Sequence, residues 1–428
     1  MDKLVHVDTV VIGAGHAGLA MSRLLTQAGH DHVVLDRGRI GERWRTERWD
    51  SLHLLTPNWM TRLPGWPYSG PDPDGFMPAS ALVRSLERYA TSFAAPVMSE
   101  TAVLAVHRAG LEQYDVATDR GAFRTSHIVV ATGPHGSPRI PAGLAAADVE
   151  VLTSNRYRNP AQLGAGGVLV VGASSSGVQI ADELSRSGRD VVLAVGRHTR
   201  MPRRYRGMDA FWWLERTGRT ARTIDEVRDP EVARSEPSLQ LIGRPGHNHD
   251  DLDLARLQSR GVRVTGRLGS LAGHTATFAD DLAHHVTAAD QVMHRFLDAV
   301  DEHIDRTGLT AEVWPASRPA PVDVRPAPRR LNLAAEGIST VLLATGFTPD
   351  HSWLHLPIHG PDGRIRQYRG VTDAPGVYVV GQRFQHRRDS GFIDGARHDV
   401  RAVATHLLTG SLPPPVGAER SAEKGRAA

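Results

Sequence analysis

A chain of 428 residues is larger than one hydrophobic core comfortably fills, so two or more domains with a sizeable cleft between them are expected. Apolar residues at 40%, charged residues at 23% and a formal net charge of +3 describe an ordinary globular protein, without the strongly basic balance of a nucleic-acid binder. With no cysteine, and with Lys3 and Lys424 the only lysines, the composition excludes disulfides, thiolate metal sites, iron–sulfur clusters, redox through a protein thiol pair and an interior Schiff base.

No apolar segment long enough for a signal or a membrane anchor precedes the first strand, which reads as a cytoplasmic protein with no integral membrane segment. Residues Val10 to Ala20 run from an apolar strand through a glycine turn into an amphipathic helix. Gly13, Gly15 and Gly18 fit G-x-G-x-x-G: one makes the tight turn, one admits a pyrophosphate to the backbone, and one lets helix and strand pack closely. Amide groups at the helix start then face the phosphate oxygens. The next apolar run, His32 to Leu35, ends at Asp36, placed to accept hydrogen bonds from an adenosine ribose. An ordinary βα turn is the competing reading; the full series of strand, turn, helix, strand and acid favours a dinucleotide.

Gly41 to Pro57 mixes arginine and tryptophan, including Arg43 and Trp44, in a way that suits a flat, aromatic, anionic cofactor. Taken singly, these residues fit surface ion pairs and core aromatics equally well. A proline-rich loop from Leu63 to Gly75 precedes a helix over 79–92, with Leu82, Leu86 and Tyr89 on one face. Strands over 102–106 and 114–117 follow, then a strand from His127 that ends at Thr132-Gly133.

A second nucleotide unit begins at Val168. Gly172 and Gly177 keep the first and third glycine positions, Ser174 takes the second, and Ser175 and Ser176 follow. The next strand, Asp190 to Val195, leads not to an acid but to Gly196, Arg197, His198, Thr199 and Arg200. An acid there holds a free ribose hydroxyl, whereas arginine accommodates a ribose phosphate, so the second nucleotide is expected to be NADPH. A hydrolase nucleophile elbow at Ser174 or Ser175 is the alternative, but neither serine has a glycine on both sides at the required spacing.

Met201 to Arg206 followed by Phe211-Trp-Trp213 interleaves arginines with aromatics, as a nucleic-acid patch does. Because the rest of the chain is balanced in charge, a nucleotide-phosphate clamp beside a packed helix is preferred, and no nucleic-acid partner is expected. His247, His249, Asp250 and Asp251 resemble a metal cluster only in composition and read as a solvated loop, with no metal expected. A helix over 281–306 carries Val292, Phe296, Leu297, Val300 and Ile304, and Pro315 to Pro328 reads as an extended surface segment. The strand from Thr340 ends in Ala344-Thr-Gly346, repeating Ala131-Thr-Gly133. Two matching ends suggest two chain crossings, with the second unit inserted into the first. The division expected is 1–157 for the first part of one domain, 158–334 for the inserted domain, 335–412 for the second part, and 413–428 for a disordered tail. The last ordered part holds a strand over 376–381, then Gln382, a loop from Phe384 to Phe392, and a helix from Ile393 towards Leu408.

These features together resemble the class B flavin monooxygenases, which include N- and S-oxygenases, Baeyer–Villiger enzymes and plant indole-pyruvate monooxygenases. The resemblance rests on Gly13 to Gly18, the Gly41 to Pro57 segment, Gly172 to Gly177, and Ala344 to Gly346. It implies an α/β fold of two Rossmann-like dinucleotide-binding domains, with FAD on the first and NADPH on the second, inserted domain. The residues implied at the FAD are Gly13, Ala14, Gly15, His16, Ala17, Gly18, Asp36, Arg37, Arg43, Trp44, Thr56, Val103, Thr132, Gly133, Gly381, Gln382 and Ile393. Those implied at the NADPH are Gly172, Ser174, Ser175, Ser176, Gly177, Arg197 and Arg200, and Thr345 and Gly346 are implied as cofactor-binding residues beside them. A family fingerprint, F-x-G-x-x-x-H-S-x-x-[YW], is only partly present: Ser154 and Tyr157 match, but Ala147, Val149 and Thr153 replace Phe, Gly and His. That departure weakens a Baeyer–Villiger assignment.

The implied reaction uses a small-molecule substrate and molecular oxygen. With no cysteine to take electrons, reduced flavin meets oxygen, forming a flavin hydroperoxide that transfers one oxygen atom to nitrogen, sulfur or a carbonyl carbon. Asn58, just after Thr56-Pro57, is the candidate catalytic contact to flavin peroxide or nicotinamide; an asparagine that caps its own turn is the plainer reading. An NADPH-dependent oxidase or quinone reductase, and a nucleotide-binding regulator without turnover, remain as alternatives. A homo-oligomer is compatible with all three.

Overall fold

The computed structural model describes residues 4–144, 146–241 and 250–413. His247, His249 and the tail beyond 413 lie outside the described residues. The first unit opens with β1 (Thr9–Ile12), α1 (His16–Gln27) and β2 (His32–Leu35), and continues through α2 (Glu42–Thr46), α3 (Ala79–Thr91), β3 (Val97–Met98) and β4 (His127–Val130). The second holds β5 (Glu150–Thr153), β6 (Gly167–Val171), α4 (Ser175–Arg186), β7 (Val191–Ala194), α5 (Ala210–Arg216), β8 (Arg263–Thr265), α6 (Leu282–Thr307) and β9 (Ile338–Leu343). The chain then returns to the first unit with β10 (Val377–Val379) and α7 (Ile393–Thr409).

In the first sheet β10, β4, β1, β2 and β3 lie side by side and parallel, with Val10 opposite both Val33 and Ile128. β1 and β2 are buried at every position, which is why they read as continuous apolar runs. Side chains still alternate by face. Val11, Val34 and Val129 pack under α1 and α7 beside Leu19 and Val400, whereas Val10, Val33 and Ile128 pack on Val106, Tyr114 and Phe123 of an antiparallel meander.

The second sheet repeats this plan in the order β5, β9, β6, β7, β8, all parallel. Val168, Val170 and Leu193 face the side of α4, and Leu169, Val171 and Val192 face a second meander through Leu271, Ala276 and Leu331. The boundaries expected at 157 and 335 cut this sheet. β5 and β9 both pair inside it, with Leu169 opposite Val341 and Leu152 opposite Leu342. Ala344-Thr-Gly346 therefore closes the second unit in the way Ala131-Thr-Gly133 closes the first. The two crossings begin after these motifs, where Ser137–Pro138 pairs antiparallel with Phe347–Thr348 and the His135 ring stands edge-on to Phe347 at 5.3 Å. Among the described residues, no helix is long and apolar enough to cross a membrane.

Candidate functional site

The glycine turns of both units are forced by close backbone approach. Gly13 adopts φ +114°, and a Cβ there would stand 2.6 Å from the Ala131 carbonyl oxygen; Gly172 adopts φ +108°, with a Cβ 2.5 Å from the Ala344 oxygen. Gly18 and Gly177 press the first turn of α1 and α4 onto the carbonyls of Gly13 and Gly172. Gly15 is different: a Cβ there meets nothing within 4 Å. The space before α1 is open where a pyrophosphate would approach, and α1 has no side-chain cap or acidic residue in its first turn to compete with an anion. Ser174 occupies the same N-cap place on α4, again without a side-chain cap bond, with Ser175 and Ser176 opening the helix.

Asp36 braces the first turn. Its Oδ2 accepts from the Ala14 amide at 2.7 Å and its Oδ1 from the Gly38 amide at 2.9 Å, so a ribose would share these oxygens through their remaining lone pairs. Thr101 donates its amide to the Asp36 carbonyl at 2.7 Å, and the half-buried Val103 stands two residues on. Arg37 is exposed and pairs with Glu47 at 3.3 Å.

The segment that follows Asp36 is rich in arginine. Arg43 on α2 donates to the His135 carbonyl, and the Arg48 guanidinium lies 5.2 Å over the Trp44 ring. Trp44 itself packs against the cores of both units. Burial and the neighbouring Arg48, Arg43 and Arg383 push the His135 imidazole down to about 3, and burial pushes His16 down to about 4, so both rings are neutral at physiological pH. Three arginines, Arg43, Arg48 and Arg383, thus act on the buried His135 ring. Four of the expected cofactor or catalytic residues hold buried polar atoms without a partner among the described residues: His16 Nε2, Asn58 Oδ1, Thr132 Oγ1 and Gln382 Nε2. Unpaired groups of this kind cost stability unless a ligand or water completes them, and they fit an anionic dinucleotide in this cleft.

Other expected residues close its walls. Gly381, at φ +74°, would bring a Cβ 2.8 Å from that of Ala17, so residues 381–382 lie directly on α1. Ile393 is buried at the start of α7, where the next residue, Asp394, is clasped by Arg62 at 2.6 Å and Phe392 stands edge-on to Phe211 of α5 at 5.7 Å. Asn58 is buried in the turn after Thr56-Pro57. Its amide donates to the Asp72 carbonyl at 2.9 Å, bracing the proline-rich loop, and leaves Oδ1 for another donor.

In the second unit Arg197 is exposed beyond β7 and donates to the Ser235 carbonyl at 2.5 Å and hydroxyl at 3.0 Å. Arg200, expected beside it at the nucleotide, is instead buried: it pairs with Asp253 at 2.9 Å and Asp290 at 2.6 Å and donates to the Ala320 carbonyl at 2.7 Å. Its charge is spent inside the fold. Thr345 donates to the Arg139 carbonyl and Gly346 accepts the Arg139 amide at 2.9 Å, which puts both at the crossing. Two arginines of the 201–206 run are also paired within the fold, Arg203 with Asp209 at 2.6 Å and Arg206 with Asp301 at 3.0 Å. Asp251 accepts the Arg203 amide at 2.6 Å, and no group of three potential metal ligands occurs among the described residues. Arg48, His135 and Arg383 were not singled out from the sequence; Arg48 sat inside the tryptophan and arginine segment, while nothing local marked the other two.

Residues 10–207 match the family described as pyridine nucleotide-disulphide oxidoreductase. An uncharacterized CzcO-like oxidoreductase of Geobacillus kaustophilus is 31% identical over 94% of this chain and 98% of its own. The indole-3-pyruvate monooxygenase YUCCA4 of Oryza sativa subsp. japonica is 29% identical over 65% of this chain and 72% of its own. The flavin-containing monooxygenase of Stenotrophomonas maltophilia shares the fold, with a TM-score of 0.66–0.65 across its two structures, 20% identity, and coverage of 95% of this chain and 99% of that one. The chain belongs to the CzcO-like oxidoreductases.

Proposed function

We propose that this enzyme is an FAD- and NADPH-dependent monooxygenase that transfers one atom of molecular oxygen to a nitrogen, sulfur or carbonyl centre of a small organic molecule in the cytoplasm. The observation that carries the reading is the pair of equivalent glycine cradles, Gly13 to Gly18 and Gly172 to Gly177, in a chain that has no cysteine. Bound FAD would supply the redox chemistry, and bound NADPH would supply the reducing equivalents. A disulphide acceptor would require a thiol pair that this chain does not have, which favours oxygen as acceptor. Gly15 and the α1 amides hold the FAD pyrophosphate, Asp36 its ribose, and Arg43 and Arg48 its negative charge. Arg197 holds the ribose phosphate of NADPH. Asn58 Oδ1, unpaired behind Pro57, accepts a hydrogen bond from a bound group. Neutral His16 and His135 add no charge of their own to the cationic lining.

The test is an accounting of NADPH consumed, hydrogen peroxide released and oxygenated product formed across amines, sulfides, ketones and indoles. At least one class is expected to give product that matches NADPH consumption. Stoichiometric peroxide with every class would replace oxygen transfer by an oxidase reading.

A further inference from the structure

Residues 48–52 leave the first unit and lie on the second. Trp49 and Leu52 are buried with Val168, Leu193 and Leu184 in the core under α4. The segment is also tied to the start of the inserted unit: the Asp50 amide donates to the Arg158 carbonyl at 2.8 Å, Arg158 donates to the Arg48 carbonyl at 3.0 Å, and Asn159 donates to the Asp50 carboxylate at 2.5 Å. Two hydroxyls then converge on one carboxylate. Ser51 Oγ donates to Glu183 Oε1 at 2.6 Å, and Tyr157 Oη donates to Glu183 Oε2 at 2.7 Å. Tyr157 is fully buried, and burial together with Glu183 raises its phenol well above the usual range, so it stays a donor at any working pH.

We propose that Glu183 is a positioning residue that fixes the angle between the two nucleotide cradles, an inference that rests on the function proposed above. It sits on α4, the helix whose N-terminus forms the second cradle, and it grips a segment whose upstream end carries Trp44 and Arg48 of the first. The same segment leads on to Asn58. A shift of this strap therefore moves one cradle against the other without touching either nucleotide. The units remain joined by the paired crossings at 137–138 and 347–348 and by Arg62 to Glu215 at 3.3 Å, so loss of the grip loosens the angle and leaves the fold intact. Hydride transfer demands contact distances, and a misplacement of about 1 Å costs about a hundredfold in rate.

The test is anaerobic stopped-flow reduction of the FAD-loaded enzyme against NADPH concentration. In Glu183→Ala the bleaching rate at saturating NADPH is expected to fall about tenfold or more, while half-saturation stays within about threefold. Tyr157→Phe should give part of this loss, and Tyr157→Phe with Glu183→Ala no more than Glu183→Ala alone. Glu183→Gln, which still accepts from one hydroxyl, should recover part of the rate and covers the case in which the alanine variant fails to fold. An unchanged saturating rate in Glu183→Gln and Tyr157→Phe, or rate and affinity lost together, would overturn the positioning role. Wild-type flavin that NADPH fails to bleach would instead overturn the function itself, and this inference with it.

Discussion

Gly15→Val is expected to fold normally and to purify without bound flavin. At this N-cap the backbone is extended, with φ −80° and ψ −176°, a conformation valine adopts readily, and a Cβ meets no protein atom within 4 Å. The branched side chain fills the space a pyrophosphate needs and displaces nothing else. Gly13→Ala cannot separate folding from binding, since it forces a side chain into a φ of +114° and a Cβ to 2.6 Å from Ala131; strain of that kind costs about 1–3 kcal/mol before any clash is counted. Absorbance of the purified Gly15→Val protein beside its thermal unfolding midpoint makes the measurement. Full flavin occupancy at an unchanged midpoint would remove the flavin from the first cradle.

Arg197→Ala is expected to weaken NADPH about tenfold to a hundredfold, the equivalent of about 1.5–3 kcal/mol for one charge-assisted contact, and to leave NADH nearly unchanged. Arg197 is exposed beyond β7 and, among the described residues, donates hydrogen bonds only to Ser235, so its guanidinium can turn towards a phosphate. Titration of both nucleotides against flavin reduction separates the two effects. Equal losses for NADPH and NADH would show that Arg197 does not read the phosphate.

The glycine cradles were legible because every part of them is local: a strand, a turn with fixed spacing, and a helix start follow one another in the chain. Partner choice between sheets was not. β9 is a buried apolar run like β4, and nothing in Ile338 to Leu343 says that it pairs with β5 and β6 and not in the first sheet. The same limit applies to charges. Arg200 is neutralised by Asp253 and Asp290, and Arg206 by Asp301, acids 53 to 95 positions away, so an arginine bound for the interior looks in sequence like one bound for a phosphate. Arg197 and Arg200 stand three residues apart, yet one is exposed and bonded to Ser235 while the other is buried between these acids. His135 and Arg383 come together through the crossings and the loop before α7, where no periodicity marks an inward side chain.

The most direct test of the account is to reduce the enzyme with NADPH in the absence of oxygen, mix it with oxygenated buffer and follow the flavin absorbance by stopped flow. A site that binds both nucleotides and protects what forms from water should return to the oxidised spectrum in two steps, through a blue-shifted transient that lasts longest while NADP stays bound. Reoxidation in a single step, with hydrogen peroxide equal to the NADPH consumed, would contradict it.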